Sequence, residues 1–275
     1  MRPIALCLGA LVASVALAAT SHAEAPPRVV AEYRAEGVPS RADDPAWDAA
    51  PTAALSLMAQ MITPPVGGGA TERVMVQAIH DGTWLGMRLR WEDATDDRRV
   101  GVDRFRDAVA VGFPQTADQG PTSPFMGDAD HPVTIWQWSA DLEAAAEGKD
   151  PSTEAYQGAE GIWYFPDDEA VSERVRGWRG REPVGVFVAT GFGALERLGN
   201  SAVSGTSQRD EESWSVVLRR RLAGESLPRF EPGAASQLIV AVWDGAGAEV
   251  NGRKSVTMAW TPFELAPVEP DHAAR

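Results

Sequence analysis

Lysine is nearly absent from this chain: of 25 basic residues only Lys149 and Lys254 carry an amine, and the rest are arginines. A guanidinium keeps its proton under all ordinary conditions, whereas an amine can give it up and offer a lone pair. Lys254 directly follows Arg253, so a position that needed charge alone had arginine to hand. Its plain alternative is a solvent-facing charge at the start of a strand. Met126 poses a similar choice in the stretch Pro124, Phe125, Met126, Gly127, Asp128. A loop methionine either fills an irregular gap or offers its thioether to a metal such as haem iron, where it favours the ferrous state.

Other chemistry is thinly represented. The histidines outside the first residues are His80, His131 and His272, no two of them close in sequence, which argues against a histidine-built zinc or copper site. His80 ends a strand pattern and reads as a packed or turn histidine; His131, in an Asp-His-Pro loop, is the one with a claim on a cofactor. There is no Gly-x-Ser-x-Gly nucleophile elbow. Gly191 and Gly193 form a bare Gly-x-Gly without the helix that a dinucleotide site requires. The pairs Asp96/Asp97 and Asp167/Asp168 read as solvated turn residues rather than as a glycosidase pair.

The single cysteine, Cys7, lies in an N-terminal segment with the marks of an export signal: Arg2, an apolar run from Ile4 to Ala19, then Ser21, His22, Ala23. Cleavage after Ala23 leaves a periplasmic chain without thiols. That excludes disulfides, iron–sulfur ligation, thiolate zinc and covalent haem attachment through Cys-x-x-Cys-His. No later apolar run approaches the roughly 20 residues that span a bilayer, so no membrane insertion is expected. The net charge of −14 disfavours nucleic acid and suits either simple solubility or an encounter with a basic partner protein.

The elements that must position these side chains are strands. Short β-branched and aromatic runs recur between Gly, Pro and Asp: Val74 to His80, Trp84 to Trp91, Ala108 to Phe113, Val133 to Ser139, Val184 to Thr190, Trp214 to Leu222, Leu238 to Trp243 and Ser255 to Trp260. The first two make a hairpin across Asp81, Gly82 and Thr83. In Trp84 to Trp91, Leu85, Met87 and Leu89 face the core, and Gly86, Arg88 and Arg90 face solvent. A short helix is expected from Leu142 to Glu147, with long irregular stretches at Pro114 to Pro132 and Lys149 to Gly180. The expected architecture is an all-β antiparallel sandwich, immunoglobulin-like or like a carbohydrate-binding module. It spans residues 24–266 as one domain, with 267–275 a disordered tail.

Several of these stretches together resemble a known family: the haem-binding γ subunits of ethylbenzene dehydrogenase, dimethylsulfide dehydrogenase, selenate reductase and chlorate reductase. The resemblance rests on Asp44-Pro-Ala-Trp47, the hairpin from His80 to Asp93, Pro124 to Asp128, the Val133 to Asp141 run with Trp136 and Trp138, Val242 to Gly245, and Asn251-Gly-Arg-Lys-Ser255. It implies a β-sandwich holding one noncovalent haem b, with Met126 and Lys254 as axial ligands and Phe125, Trp136 and His131 near the porphyrin. It also implies partners: a molybdenum catalytic subunit, an iron–sulfur subunit and a soluble c-type cytochrome, with no substrate chemistry in this chain. Two alternatives stay open, a haem b protein of another redox chain and a carbohydrate-binding sandwich whose tryptophans stack on sugar rings.

Overall fold

Some strands bury every second side chain, as Thr261–Leu265 does, while Ala108–Pro114 is buried along its whole length, and these apolar faces turn the chain into two facing layers. The computed structural model describes residues 26–101, 103–115, 126–147, 182–198, 202–223 and 228–268. Within them run β1 (Val29–Tyr33), a 3-10 turn (Pro45–Ala49), β2 (Ala53–Ser56), β3 (Met58–Ala59), β4 (Arg73–His80) and β5 (Trp84–Glu92). After these come β6 (Ala108–Pro114), β7 (Val133–Ser139), the helix α1 (Ala140–Ala146), β8 (Val184–Ala189) and β9 (Leu195–Leu198). The last are β10 (Val203–Arg209), β11 (Ser213–Arg221), β12 (Ala235–Trp243), β13 (Ser255–Val256) and β14 (Thr261–Leu265).

Most of the strands follow one hydrogen-bonded path, β10-β11-β5-β4-β1-β14-β12-β6-β7-β8-β9, with β2 paired to β4 and β13 to β12 and β3 beside it. The fold over happens within β12, whose residues 235–238 pair with β14 and whose residues 239–243 pair with β6. One half of the path thereby faces the other. Gly205 of β10 lies so close to β8 that a Cβ there would stand 2.3 Å from Val184 Cγ2. Between the layers sit Leu85, Met87 and Leu89 of β5, Val216 and Leu218 of β11, Val109, Val111 and Phe113 of β6, and Val240 and Val242 of β12. Trp91, Trp138 and Trp214 join them, Trp138 and Trp214 with ring centroids 5.1 Å apart.

The all-β sandwich expectation holds, with two corrections. The strands are not uniformly antiparallel: β1 slots between β4 and β14 and runs parallel to both. The face of β5 that carries Gly86 and Arg88 is not left to solvent either. The segment around the 3-10 turn covers it, burying Trp47, Val38, Ala42 and Ala50 against Ile79 and Val217. Gly86 permits this closeness, since a Cβ there would meet Val38 Cγ1 at 2.4 Å. Arg88 donates to Gln77 Oε1 and to the Ala42 carbonyl, with its guanidinium 5.5 Å from the Trp47 ring centroid.

The Asp81–Trp84 hairpin forms as expected; Asp81 Oδ1 accepts the N–H groups of Thr83 and Trp84, and Gly82 takes a φ of 81°. Ser255 to Trp260 shrinks to the two-residue β13, after which Thr257 exchanges hydrogen bonds with Val240. The helix begins at Ala140 instead of Leu142. The export signal, most of both long irregular stretches and the tail from 269 lie outside the described residues.

Removing core volume between the layers is predicted to be expensive. Leu218→Ala empties a fully buried site and is expected to cost about 2–5 kcal/mol in urea unfolding. Leu198→Ala, at a half-open edge strand, is expected to cost under about 0.5 kcal/mol in the same measurement.

Candidate functional site

Lys254 sits where three segments converge. Its N–H donates to the Gly67 carbonyl at 3.1 Å, and its own carbonyl accepts the Gln60 N–H at 3.0 Å. Gln60 locks the clasp: its side-chain amide donates to the Thr63 and Gly252 carbonyls, and Oε1 accepts the Thr63 N–H. On the far side Ser255 Oγ accepts the N–H groups of Gly69 and Thr71. Glu249, almost fully buried, bridges the Ala70 and Asp244 N–H groups. Gly68 takes a φ of 98° directly against Lys254, where a Cβ would stand 2.4 Å from the lysine backbone. The sequence brings three consecutive glycines, 67–69, to this approach, and side chains would prevent it.

The side chain of Lys254 lies over Trp243, its Nζ 5.1 Å from the ring centroid. Among the described residues no acid is within ion-pairing distance of the amine. Burial with no compensating charge lowers its pKa from 10.5 to about 8. The flanking segments also expose apolar side chains, Met58, Met61, Ile62 and Val66, to solvent. An amine with a lowered pKa, bordered by apolar surface, gives up its proton more readily than a solvated lysine and can then offer a lone pair.

Met126 is half-buried at a φ of 90°, and its carbonyl accepts the Gly191 N–H at 2.9 Å, tying it to the turn between β8 and β9. His131 closes the neighbouring turn, its Nδ1 2.9 Å from Asp128 Oδ1, and the imidazole holds the Asp128 carboxyl below its usual range. The register does not bring Met126 and Lys254 side by side. Lys254 precedes the Ser255↔Val242 pair and so stands level with Trp243 and Ala108, whereas Met126 leaves the other end of the sheet, past the Pro114↔Val133 pair. Six residues of β6 separate these levels, about 20 Å of strand.

The remaining expected site residues have other places. Trp136 is fully buried between the layers, 4.8 Å from Phe113 and 6.0 Å from Phe230 by ring centroids. Strand alternation sends it inward with Trp138, so its contacts are those of the core and not of a loop wall. Phe125, Lys149 and His272 lie outside the described residues. His80 is structural, with Nε2 2.8 Å from the Ala266 carbonyl and Nδ1 accepting the Gly82 N–H, and burial lowers its pKa. A cavity lined by Arg98, Glu143, Ser207 and Arg209 opens beside α1, away from Lys254. Trp243, Gln60 and the glycine run are the parts of the Lys254 setting that sequence reasoning missed; the run itself, just after Pro64-Pro65, was the available signal.

Gly68→Ala is predicted to disturb this setting first. The backbone strain alone is of order 1–3 kcal/mol, and the contact with Lys254 adds to it, so unfolding should shift to lower denaturant with the Trp243 fluorescence environment altered. Gly193→Ala, at a φ of 79° with open space around it, carries the strain without the contact and should cost less.

Comparison with known proteins places the chain. It is 28% identical over 269 residues to a Haloferax mediterranei protein named provisionally as a respiratory nitrate reductase heme subunit, covering 96% of this chain and 82% of the other. It is 26% identical to chlorate reductase subunit gamma of Ideonella dechloratans, covering 94% of each. To dimethylsulfide dehydrogenase subunit gamma of Rhodovulum sulfidophilum it is 28% identical, covering 83% of this chain and 76% of the other. Among solved structures, a family 9 carbohydrate-binding module from Caldicellulosiruptor kristjanssonii in complex with cellotriose aligns at a TM-score of 0.46 and 8% identity, over 90% of this chain and 97% of that one. The family model described as ethylbenzene dehydrogenase matches residues 44–255, and the chain belongs to that family.

Proposed function

We propose that this protein is an electron-transfer subunit that binds one noncovalent haem b, with Lys254 and Met126 as the axial ligands. The observation that carries the reading is the Lys254 amine: it is desolvated, has no acid beside it among the described residues, and has its pKa lowered to about 8. It belongs to a chain that otherwise uses arginine for its positive charges almost throughout. When bound, the haem supplies a one-electron ferric/ferrous couple, which a thioether ligand biases toward the ferrous state.

The chain's own residues do the rest. The Gln60–Gly67–Gly68 clasp fixes the Lys254 backbone, and Trp243 lies beneath the amine and shields it from water. Coordination requires Nζ to release its proton, and desolvation has already brought that step close to neutral pH. Met126 stands beyond the opposite end of β6, and its loop would have to bring it toward Lys254 for both residues to hold one haem. His131 is bonded to Asp128 and positions that turn.

The relatives named as gamma and heme subunits support a place in an oxidoreductase complex. In this reading the partners are a molybdenum catalytic subunit and an iron–sulfur subunit, with a soluble c-type cytochrome as the external electron carrier. The setting is the periplasm, reached by way of the signal ending at Ala23, and the chain performs no substrate chemistry of its own. The strongly acidic composition suits an encounter with a basic cytochrome.

Reconstitution of the full mature chain with haem tests the ligands. The wild type is expected to give a low-spin, six-coordinate visible spectrum. Met126→Ala and Lys254→Ala are each expected to convert it to high-spin or lose haem, and Lys149→Ala to leave it unchanged. Low-spin spectra unaltered in both ligand variants contradict the assignment, and a change confined to His131→Ala points to histidine ligation instead.

A further inference from the structure

A second cluster of donors lies where three strand ends meet and plays no part in the haem reading. Asp93 follows β5, Asp107 precedes β6 and Asp244 follows β12, and one carboxylate oxygen from each lies within 4.8 Å of the others. Asp107 is fully buried and Asp93 is 8% exposed. Among the described residues none of the three carboxylates is in an ion pair; Arg209 gives two N–H groups to the Asp93 backbone carbonyl instead.

The donors that are present leave part of this charge unanswered. Asp107 accepts the Gly245 and Asp97 N–H groups and the Trp214 indole N–H. Asp244 Oδ1 accepts the Gly247 N–H. Asp93 Oδ1 is taken by the Thr95 backbone and hydroxyl, but Asp93 Oδ2 is buried with no hydrogen-bond partner. Asp97 Oδ2 is orphaned in the same way, and the Asp97 backbone is bonded to Asp107 at both its N–H and its carbonyl. A bare carboxylate oxygen out of water costs several kcal/mol unless something positive meets it.

We infer that Asp93, Asp107 and Asp244 form a binding site for a calcium ion that ties the two layers of the sandwich together at this end. The donors are all oxygen, which selects a hard cation over zinc or copper. Oxygens around one calcium ion stand up to about 5 Å apart, and the ion tolerates irregular geometry, whereas magnesium demands a tighter octahedron. The three residues come from both layers, because β5 belongs to one half of the strand path and β6 to the other. Asp244 also shares Glu249 with the loop that leads to Lys254, so the ion would steady that loop.

The test is thermal unfolding of the full mature chain after chelator treatment, with calcium or magnesium added back, beside the variants D93N and D244N. Calcium at a hundred times its dissociation constant is expected to raise the wild-type midpoint by about 5–10 °C, with a smaller response to magnesium. D93N is expected to fold without calcium and to lose the response; if D93N does not fold, D244N decides. No rise in the wild type, an equal rise with magnesium, or a rise that persists in the folded variants overturns the site.

Discussion

A lysine amine partly withdrawn from water with no acid beside it to receive its charge is a costly arrangement, and the clasp of Gln60, Gly67 and Gly68 is built around its backbone. The cost of a buried ammonium is met by an opposite charge or relieved by losing the proton. Here no carboxylate answers Lys254 among the described residues, and the flat face of Trp243 is what the amine touches. The protein holds that state by gripping the backbone on either side, through Gly67 and Gln60, and by letting a glycine press against it. The pKa of the side chain is lowered to about 8, with no acidic partner among the described residues to raise it.

The sandwich supplies the frame for this. β12 changes layers midway, so its last residue, Trp243, and Asp244 just after it stand at the corner where β5 ends and β6 begins. The Lys254 clasp is built on one side of that corner and the aspartate cluster on the other, with Glu249 bonded to the segments that lead to each. Met126 lies beyond the opposite end of β6, on a turn steadied by the Asp128–His131 pair. The two proposed ligands are thus carried by different loops.

Much of this was legible in the residues. Alternation in Trp84 to Trp91 gave the right inward face, and Asp81-Gly82-Thr83 gave the hairpin, because both depend on local stereochemistry. The scarcity of lysine singled out Lys254, since arginine cannot do what an amine does. Other features were not legible because they depend on long-range packing. β1 is a short run with no mark of its parallel pairing, and Arg88 looked solvated because nothing local shows that Trp47 would cover it. The resemblance alone puts Trp136 near a porphyrin, and the register turns its side chain inward, between the layers. The burial of Asp107 also comes from the meeting of distant strand ends, and the sequence around it reads as an ordinary charged turn.

The central claim is that the nitrogen of Lys254 binds iron. Because the chain has only two lysines, the haem-loaded protein can be made with lysine labelled with nitrogen-15 at its ε position and its ferric form studied by electron–nuclear double resonance. One strongly coupled lysine nitrogen is predicted, absent when Lys254 is replaced. A spectrum without any coupled label in a fully haem-loaded wild type would contradict the account.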